Sequence, residues 1–292
     1  MYKVAILVHR YDSFQNMDYW LRAIAEDWRE SGMETDLLYG PQARADADLV
    51  ILHVDLTVIP DKYLDHVSRY PRAINAGVRD ISKRRISSHL LRRGDSYDGP
   101  VIIKTDRNDR GSREWHFAKR GLLSSRARDL VKNSAGFAKE AYRIAKHWRR
   151  HGSPRAFRNY PVFESIWDVP EAVWGNPELV VERFQSERRG EYYCVRTWLF
   201  LGDRERHAIF FSRTPIIKST NVVDFERLAE VPEELQRLRK DLKFDFGKFD
   251  YAMVDGRVVL YDANRTPTIG AFPRERYVPI AQSLAGGIKA FL

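Results

Sequence analysis

Three oxygen-bearing side chains, Asp250, Asp262 and Asn264, stand at the two ends of a stretch that reads as a β-hairpin, DYAMVDGRVVLYDAN. Asp255-Gly256 is a strong turn signal between the strand-like runs 251–254 and 257–261. Hard carboxylate and amide oxygens suit Mg²⁺, which keeps several waters and binds through one or two carboxylates plus substrate phosphates. Whether these oxygens can share an ion depends on the register. A two-residue loop pairs Asp250 with Tyr261 and sends Asp262 to the opposite face of the sheet. A three-residue loop with a bulged residue brings Asp250 and Asp262 to one side, and Asn264, two residues on, joins them. The metal reading therefore predicts the longer loop; ordinary polar hairpin ends are the alternative.

Basic residues elsewhere invite an anion. Lys104 ends the apolar strand 100–104, where an ammonium needs solvent or an anionic partner. Lys83 falls in the first turn of a short helix, where the helix dipole does not favour a cation. Arg196 lies in the strand after Glu191, and Arg213 and Lys218 flank Pro215-Ile216-Ile217. Taken singly each reads as surface charge; beside three metal-binding oxygens they suit a polyphosphate. The eight histidines contain no His-Glu-x-x-His spacing. His9 and His53 sit near strand C-termini, where ligands gather in open α/β sheets, although core or rim histidine is the commoner use. The lone cysteine, Cys194, excludes an internal disulfide, fits a reducing compartment and reads as a buried strand residue.

The elements that must position these residues alternate. Strands are expected at 2–9, 34–38 and 48–54, with helices at 17–31 and 61–69, forming a small, largely parallel α/β layer. No Gly-x-Gly-x-x-Gly follows the first strand. A short helix from Asp80 is expected to carry Ile86, Leu90 and Leu91 on one side, followed by the strand 100–104 and the polar loop TDRNDRGSRE with Gly111. Residues 116–158 read as basic helices. Strands follow at 179–182, 191–201 and 207–213, the last two joined by a Gly202-Asp203 hairpin. A helix at 232–243 precedes the metal hairpin, and a helix at 278–292 follows it. The divisions expected are 1–75, 76–180 and 181–292.

Composition sets the outer limits. With 292 residues, 43% hydrophobic and 30% charged, the chain has the make-up of a soluble globular protein. No apolar run is long enough for a membrane-spanning helix, and the N-terminus reads as a strand rather than a secretory signal, so a cytoplasmic protein is expected. The net charge of +9 is local: residues 119–158 hold twelve Lys and Arg against Asp129 and Glu140, leaving the remainder nearly neutral. Such a block can recruit phosphate or nucleic acid, with a solvated helical face as the common alternative.

The order Lys83, Lys104, a Gly-containing loop, Val180-Val181-Glu182, Glu191, Arg196, Asp250 and Asp262-Ala263-Asn264 resembles the ATP-grasp superfamily across roughly residues 75–270. The α/β layer before it looks like the domain that precedes ATP-grasp in those enzymes. The resemblance implies an α/β (α+β) ATP-grasp fold that binds ATP. It implies nucleotide phosphates on Lys83 and Lys104, a loop around Gly111 over them, and the adenine hinge at Glu182 or its neighbours' backbone. It also implies ribose hydroxyls on Glu191 and terminal phosphates near Arg196. Asp250, Asp262 and Asn264 would then hold two Mg²⁺ ions, with Mn²⁺ as a substitute. The family usually has Glu where Asp262 stands and a glycine-richer loop than TDRNDRGS, and the basic insert has no clear counterpart in its compact members.

The chemistry so implied is ATP-dependent ligation of a carboxylate, small or peptide-borne and anionic, to an amine. Phosphorylation of a hydroxyl at the same ATP site is the second reading. A nucleic-acid module on 119–158, where Phe137, Tyr142, Trp148 and Phe157 interleave with basic residues, is the third. No membrane partner is expected.

Overall fold

A computed structural model of the chain describes residues 2–129 and 160–292, which fall into two compact units: 2–81 with 86–88 and 185–292, and 82–85 with 89–129 and 160–184. The fold is mixed α/β, as the alternation of elements predicts.

The first unit opens with β1 (Lys3–Val8), α1 (Trp20–Glu30), β2 (Glu34–Tyr39), β3 (Leu49–Leu52), α2 (Asp61–Val67) and β4 (Ala73–Ile74). The strands form a parallel sheet in the order β2-β1-β3-β4. Both faces of β1 and β3 are covered, which is why these strands read as unbroken apolar runs. Helix α1 begins later than its apolar periodicity suggests, because Tyr19 is held in a β-bridge to Thr268. It ends at Gly32, whose φ of +84° closes a Schellman turn: the amides of Gly32 and Met33 donate to the carbonyls of Arg29 and Trp28.

The second unit carries all of α3 (Lys83–Ile86) but its last residue, with β5 (Leu90–Leu91), β6 (Val101–Thr105), α4 (Ser112–Asp129), β7 (Val162–Phe163), α5 (Glu171–Trp174) and β8 (Leu179–Arg183). Its sheet is antiparallel, in the order β5-β8-β6-β7. Leu90 and Leu91 do not extend the helix from Asp80; they pair with Glu182 and Val181. Two leucines carry little helix-or-strand information of their own, and a strand partner some ninety residues away decides the matter. Val101, Ile103, Leu179 and Val181 fill the core of this unit.

The first unit resumes with β9 (Glu187–Arg189), β10 (Tyr192–Leu201), β11 (Arg204–Ser212), β12 (Val222–Arg227), α6 (Glu233–Asp241), β13 (Phe246–Val254), β14 (Arg257–Asn264) and α7 (Arg274–Ala285). A short 3₁₀ segment, Gly286–Phe291, ends the chain where the longer helix 278–292 was expected. The sheet runs β12-β11-β10-β13-β14, with β9 also on β10, and all pairs are antiparallel. Gly202-Asp203 makes the expected hairpin, with Leu201 opposite Arg204. Along β10 the side chains alternate between two cores. Trp198 and Phe200 pack with Phe244, Phe249 and Leu235, whereas Leu199 and Leu201 join the core around β1, α1 and α7.

One buried amide ties the parallel layer to the start of β13. Asn75, fully buried and at a φ of +61° that Asn tolerates, donates from Nδ2 to the Phe246 carbonyl at 2.8 Å. Its Oδ1 accepts the amides of Asp245 and Phe246, each at 3.0 Å. The β13–β14 hairpin is thus anchored where it begins.

Candidate functional site

In the β13–β14 hairpin the loop has two residues, Asp255-Gly256, flanked by the pair Val254↔Arg257. The longer loop predicted for a shared ion is therefore not what forms. The register nevertheless slips by one residue farther down. Tyr251 faces Leu260, Asp250 faces Asp262, and Tyr261 is left as the extra residue of a β-bulge. The Tyr261 hydroxyl donates to the Gln185 carbonyl, which anchors the bulged residue from the side. Asp250 and Asp262 are thereby cross-strand neighbours on one face, and the next pair on that face is Lys248↔Asn264.

The oxygens of this face are already in use. The Lys248 ammonium is 2.9 Å from Asp250 Oδ2, and both side chains are about a quarter exposed, at 26% and 23%. Asp250 Oδ1 accepts the Thr197 hydroxyl at 2.8 Å from the neighbouring strand β10. Asn264 Oδ1 accepts the Thr266 amide at 2.9 Å, and the Thr266 hydroxyl oxygen lies 3.3 Å from it. Burial works against the charge of Lys248, but Asp250 and Asp262 outweigh it and raise its pKa above the ordinary lysine value. Lys248 was not among the residues singled out from sequence. The period-2 alternation of the strand, which puts residues 248 and 250 on one face, is the signal that could have found it.

Behind the hairpin runs a buried polar chain. The Thr266 hydroxyl donates to Asp55 Oδ1 at 2.8 Å, and the Tyr19 hydroxyl donates to Asp55 Oδ2 at 2.9 Å and lies 3.3 Å from Asp12 Oδ2. Arg265, fully buried, donates to the carbonyls of Val54, Leu56, Thr57 and Val78. Each of the Arg265 bonds bridges at least 187 residues of chain, so none is visible in local sequence.

His53 packs beside this chain, fully buried, with its ring edge-on to Tyr19 at 4.7 Å between centroids. Neither ring nitrogen makes a hydrogen bond of normal geometry among the described residues. Burial is the main cause that pushes its pKa down to about 3, so the folded protein holds it neutral. A histidine with a folded pKa below its unfolded value near 6.5 contributes stability that is present above pH 6.5 and lost as pH falls toward 3. The expected slope is roughly 1.4 kcal/mol per pH unit across that window. His53→Leu removes it and costs little at pH 7.5, because no hydrogen bond is lost. Denaturant midpoints at intervals from pH 7.5 to 4 measure both. An unchanged slope in the variant contradicts the neutral, buried state.

Arg196, expected near terminal phosphates, is bidentate with Glu187, at 2.8–3.1 Å across Nε and one terminal nitrogen. Glu187 also accepts the Met253 amide at 2.9 Å. Tyr251, whose hydroxyl lies 2.7 Å from His207 Nε2, has its pKa pushed up to about 12 by burial, with Arg196 opposing. Burial, then Arg196, lowers His207 to about 4. The buried acid of this strand pair is thus Glu187, whereas Glu191 is exposed after the Gly190 turn. Arg213 and Lys218 are exposed on the connection after β11, and neither side chain makes a hydrogen bond or ion pair among the described residues. Cys194 is buried, as expected, and burial raises its pKa.

In the second unit, Lys104 Nζ lies 2.7 Å from Glu182 Oε2, with His89 Nε2 at 3.4 Å from the same oxygen. Glu182 is fully buried. Burial disfavours its charge, but Lys104 and then His89 outweigh that and hold the carboxyl well below the usual range. Its side chain therefore faces a lysine inside the unit. Lys83 is buried at the start of α3, and its amide donates to the Asp106 carbonyl at 2.9 Å, next to the end of β6. The loop beyond is strained: Asp109, Arg110 and Gly111 all have left-handed φ, at +41°, +57° and +68°. A Cβ at Gly111 would meet Arg107 Cδ at 3.0 Å. The nucleic-acid reading rests on 119–158, of which 130–158 lie outside the described residues.

Two solved structures align over almost the whole chain. The ATP-grasp ligase PsnB, complexed with minimal precursor, matches with a TM-score of 0.53 and 11% identity, over 98% of this chain and 99% of its own. D-alanine–D-alanine ligase from Bacillus anthracis, complexed with ATP, matches with a TM-score of 0.50 and 12% identity, over 99% and 97%. The chain has the ATP-grasp fold. No family model and no curated relative matches its sequence. An ATP-grasp fold is what the ordered pattern from Lys83 to Asn264 implies. Among the described residues, no helix is long and apolar enough to cross a membrane, and no group of three or more His, Cys, Asp or Glu is placed to hold a metal.

Proposed function

We propose that this protein is an ATP-dependent ligase that activates a carboxylate by phosphoryl transfer and joins it to an amine or similar nucleophile. The observation that carries the reading is the register Asp250↔Asp262, with Asn264 on the same face, in a chain of ATP-grasp fold. Hard oxygens paired across a hairpin fit a divalent cation, and the face already holds a positive charge, the Lys248 ammonium. Mg²⁺ bound there would neutralise charge on nucleotide phosphate oxygens.

The chain's own groups do the rest by charge and position. Lys83 and Lys104 are assigned to nucleotide phosphates, with Glu182 holding Lys104 in place until an anion arrives. Glu191 is assigned to the ribose, the Gly111 loop to covering the phosphates, and Arg196, Arg213 and Lys218 to the transferring phosphoryl group or the anionic substrate. In the reaction, the γ-phosphorus bonds to a carboxylate oxygen as ADP leaves. The nucleophile's lone pair then bonds to the carbonyl carbon as inorganic phosphate departs, and its proton passes to solvent.

Product analysis tests the reading. The protein is incubated with Mg²⁺-ATP and panels of carboxylates, each with and without amines, small and peptide-borne. ADP release that needs both co-substrates, with a new amide by mass spectrometry, is expected. A stable phosphoester instead would show that a hydroxyl is the acceptor.

A further inference from the structure

We infer that the Lys248 ammonium fills one of the cation positions of the hairpin, so that the site takes a single divalent ion beside the nucleotide rather than two. The inference rests on the ligase reading and deepens it by setting the metal requirement of that site. Lys248 and Asn264 are cross-strand partners, one pair along from Asp250 and Asp262 on the same face. An ion bridging these side chains would lie beside Lys248 Nζ, which is already 2.9 Å from Asp250 Oδ2. Like charges at such range repel strongly in a partly buried site.

The remaining oxygens point the same way. Asp250 Oδ1 holds the Thr197 hydroxyl, and Asn264 Oδ1 holds the Thr266 amide. The face carries two carboxylates against one ammonium, and no third acid completes a metal cluster among the described residues. The backbone that carries Lys248 is closely seated. A Cβ on the preceding Gly247 would sit 2.7 Å from the Phe244 ring and 2.8 Å from the Asn264 carbonyl oxygen, so the strand is seated closely at that point. A tethered ammonium standing in for a metal ion supplies positive charge with no dissociation step, and it limits how many free ions the site can recruit.

The test is equilibrium dialysis of the full chain against Mn²⁺ and a non-hydrolysable ATP analogue, counting both per chain for wild type, Lys248→Arg and Lys248→Met. The expected counts are one nucleotide throughout, one Mn²⁺ in wild type and Lys248→Arg, and two in Lys248→Met. Lys248→Gln replaces the methionine variant if circular dichroism shows that it is misfolded. Two Mn²⁺ in wild type, or one in the charge-free variant that still binds nucleotide, overturns the inference and leaves the ligase reading intact. Folded wild type that takes up no nucleotide overturns the ligase reading, and this inference falls with it.

Discussion

Arg265→Met is expected to destabilise the protein by about 3–5 kcal/mol, the range for stripping one partner from a buried charged network. The guanidinium is fully buried and serves four carbonyls, on residues 54, 56, 57 and 78. Methionine fills similar space but donates nothing, and each orphaned carbonyl then carries a desolvation penalty of about 1–3 kcal/mol. Lysine does not rescue the site, because one ammonium cannot reproduce the planar fork. Arg265 directly follows Asn264, so the loss also loosens the segment that holds Asn264 Oδ1 through Thr266. Denaturant midpoints of wild type, Arg265→Met and Arg265→Lys measure the effect. A shift worth under about 1 kcal/mol in both variants contradicts the packing described for this side chain.

Asp262→Asn is expected to lower ATP turnover by at least about a hundredfold while leaving the fold intact. The change keeps shape and removes the charge that, with Asp250, is proposed to hold a cation on this face. Asp262→Glu keeps the charge at the length usual in the fold family and is expected to retain far more activity. Steady-state ADP release across Mg²⁺ concentrations separates the two: in Asp262→Asn the metal concentration needed for half activity rises, and in Asp262→Glu it stays within a few-fold. Equal turnover of wild type and Asp262→Asn removes the hairpin from the chemistry.

Much of this architecture is legible in the chain because it follows from local rules. Unbroken apolar runs become β1 and β3, covered on both faces, and Asp255-Gly256 and Gly202-Asp203 turn where their residue types require. The side of the sheet that Asp262 occupies is another matter. It depends on a bulge at Tyr261, whose hydroxyl is held by Gln185, 76 residues earlier, and no local pattern announces it. The same holds for Leu90-Leu91, made a strand by a distant partner, and for Asn75, whose bonds to Asp245 and Phe246 span about 170 residues. Glu191 opens the expected strand 191–201, but a place at a strand end does not bury a side chain. Glu187 is buried because a short extra strand, β9, folds it against Arg196. Order along the chain was informative; pairing across it was not.

The proposed ligase chemistry stands on a metal ion held against ATP by the hairpin face. Isothermal titration of a non-hydrolysable ATP analogue, with and without Mg²⁺, on wild type and Asp262→Ala, tests it most directly. Magnesium-dependent binding to wild type that the variant loses is the expected result. Folded wild type that binds no nucleotide, or a variant that binds it as well as wild type does, would contradict the claim.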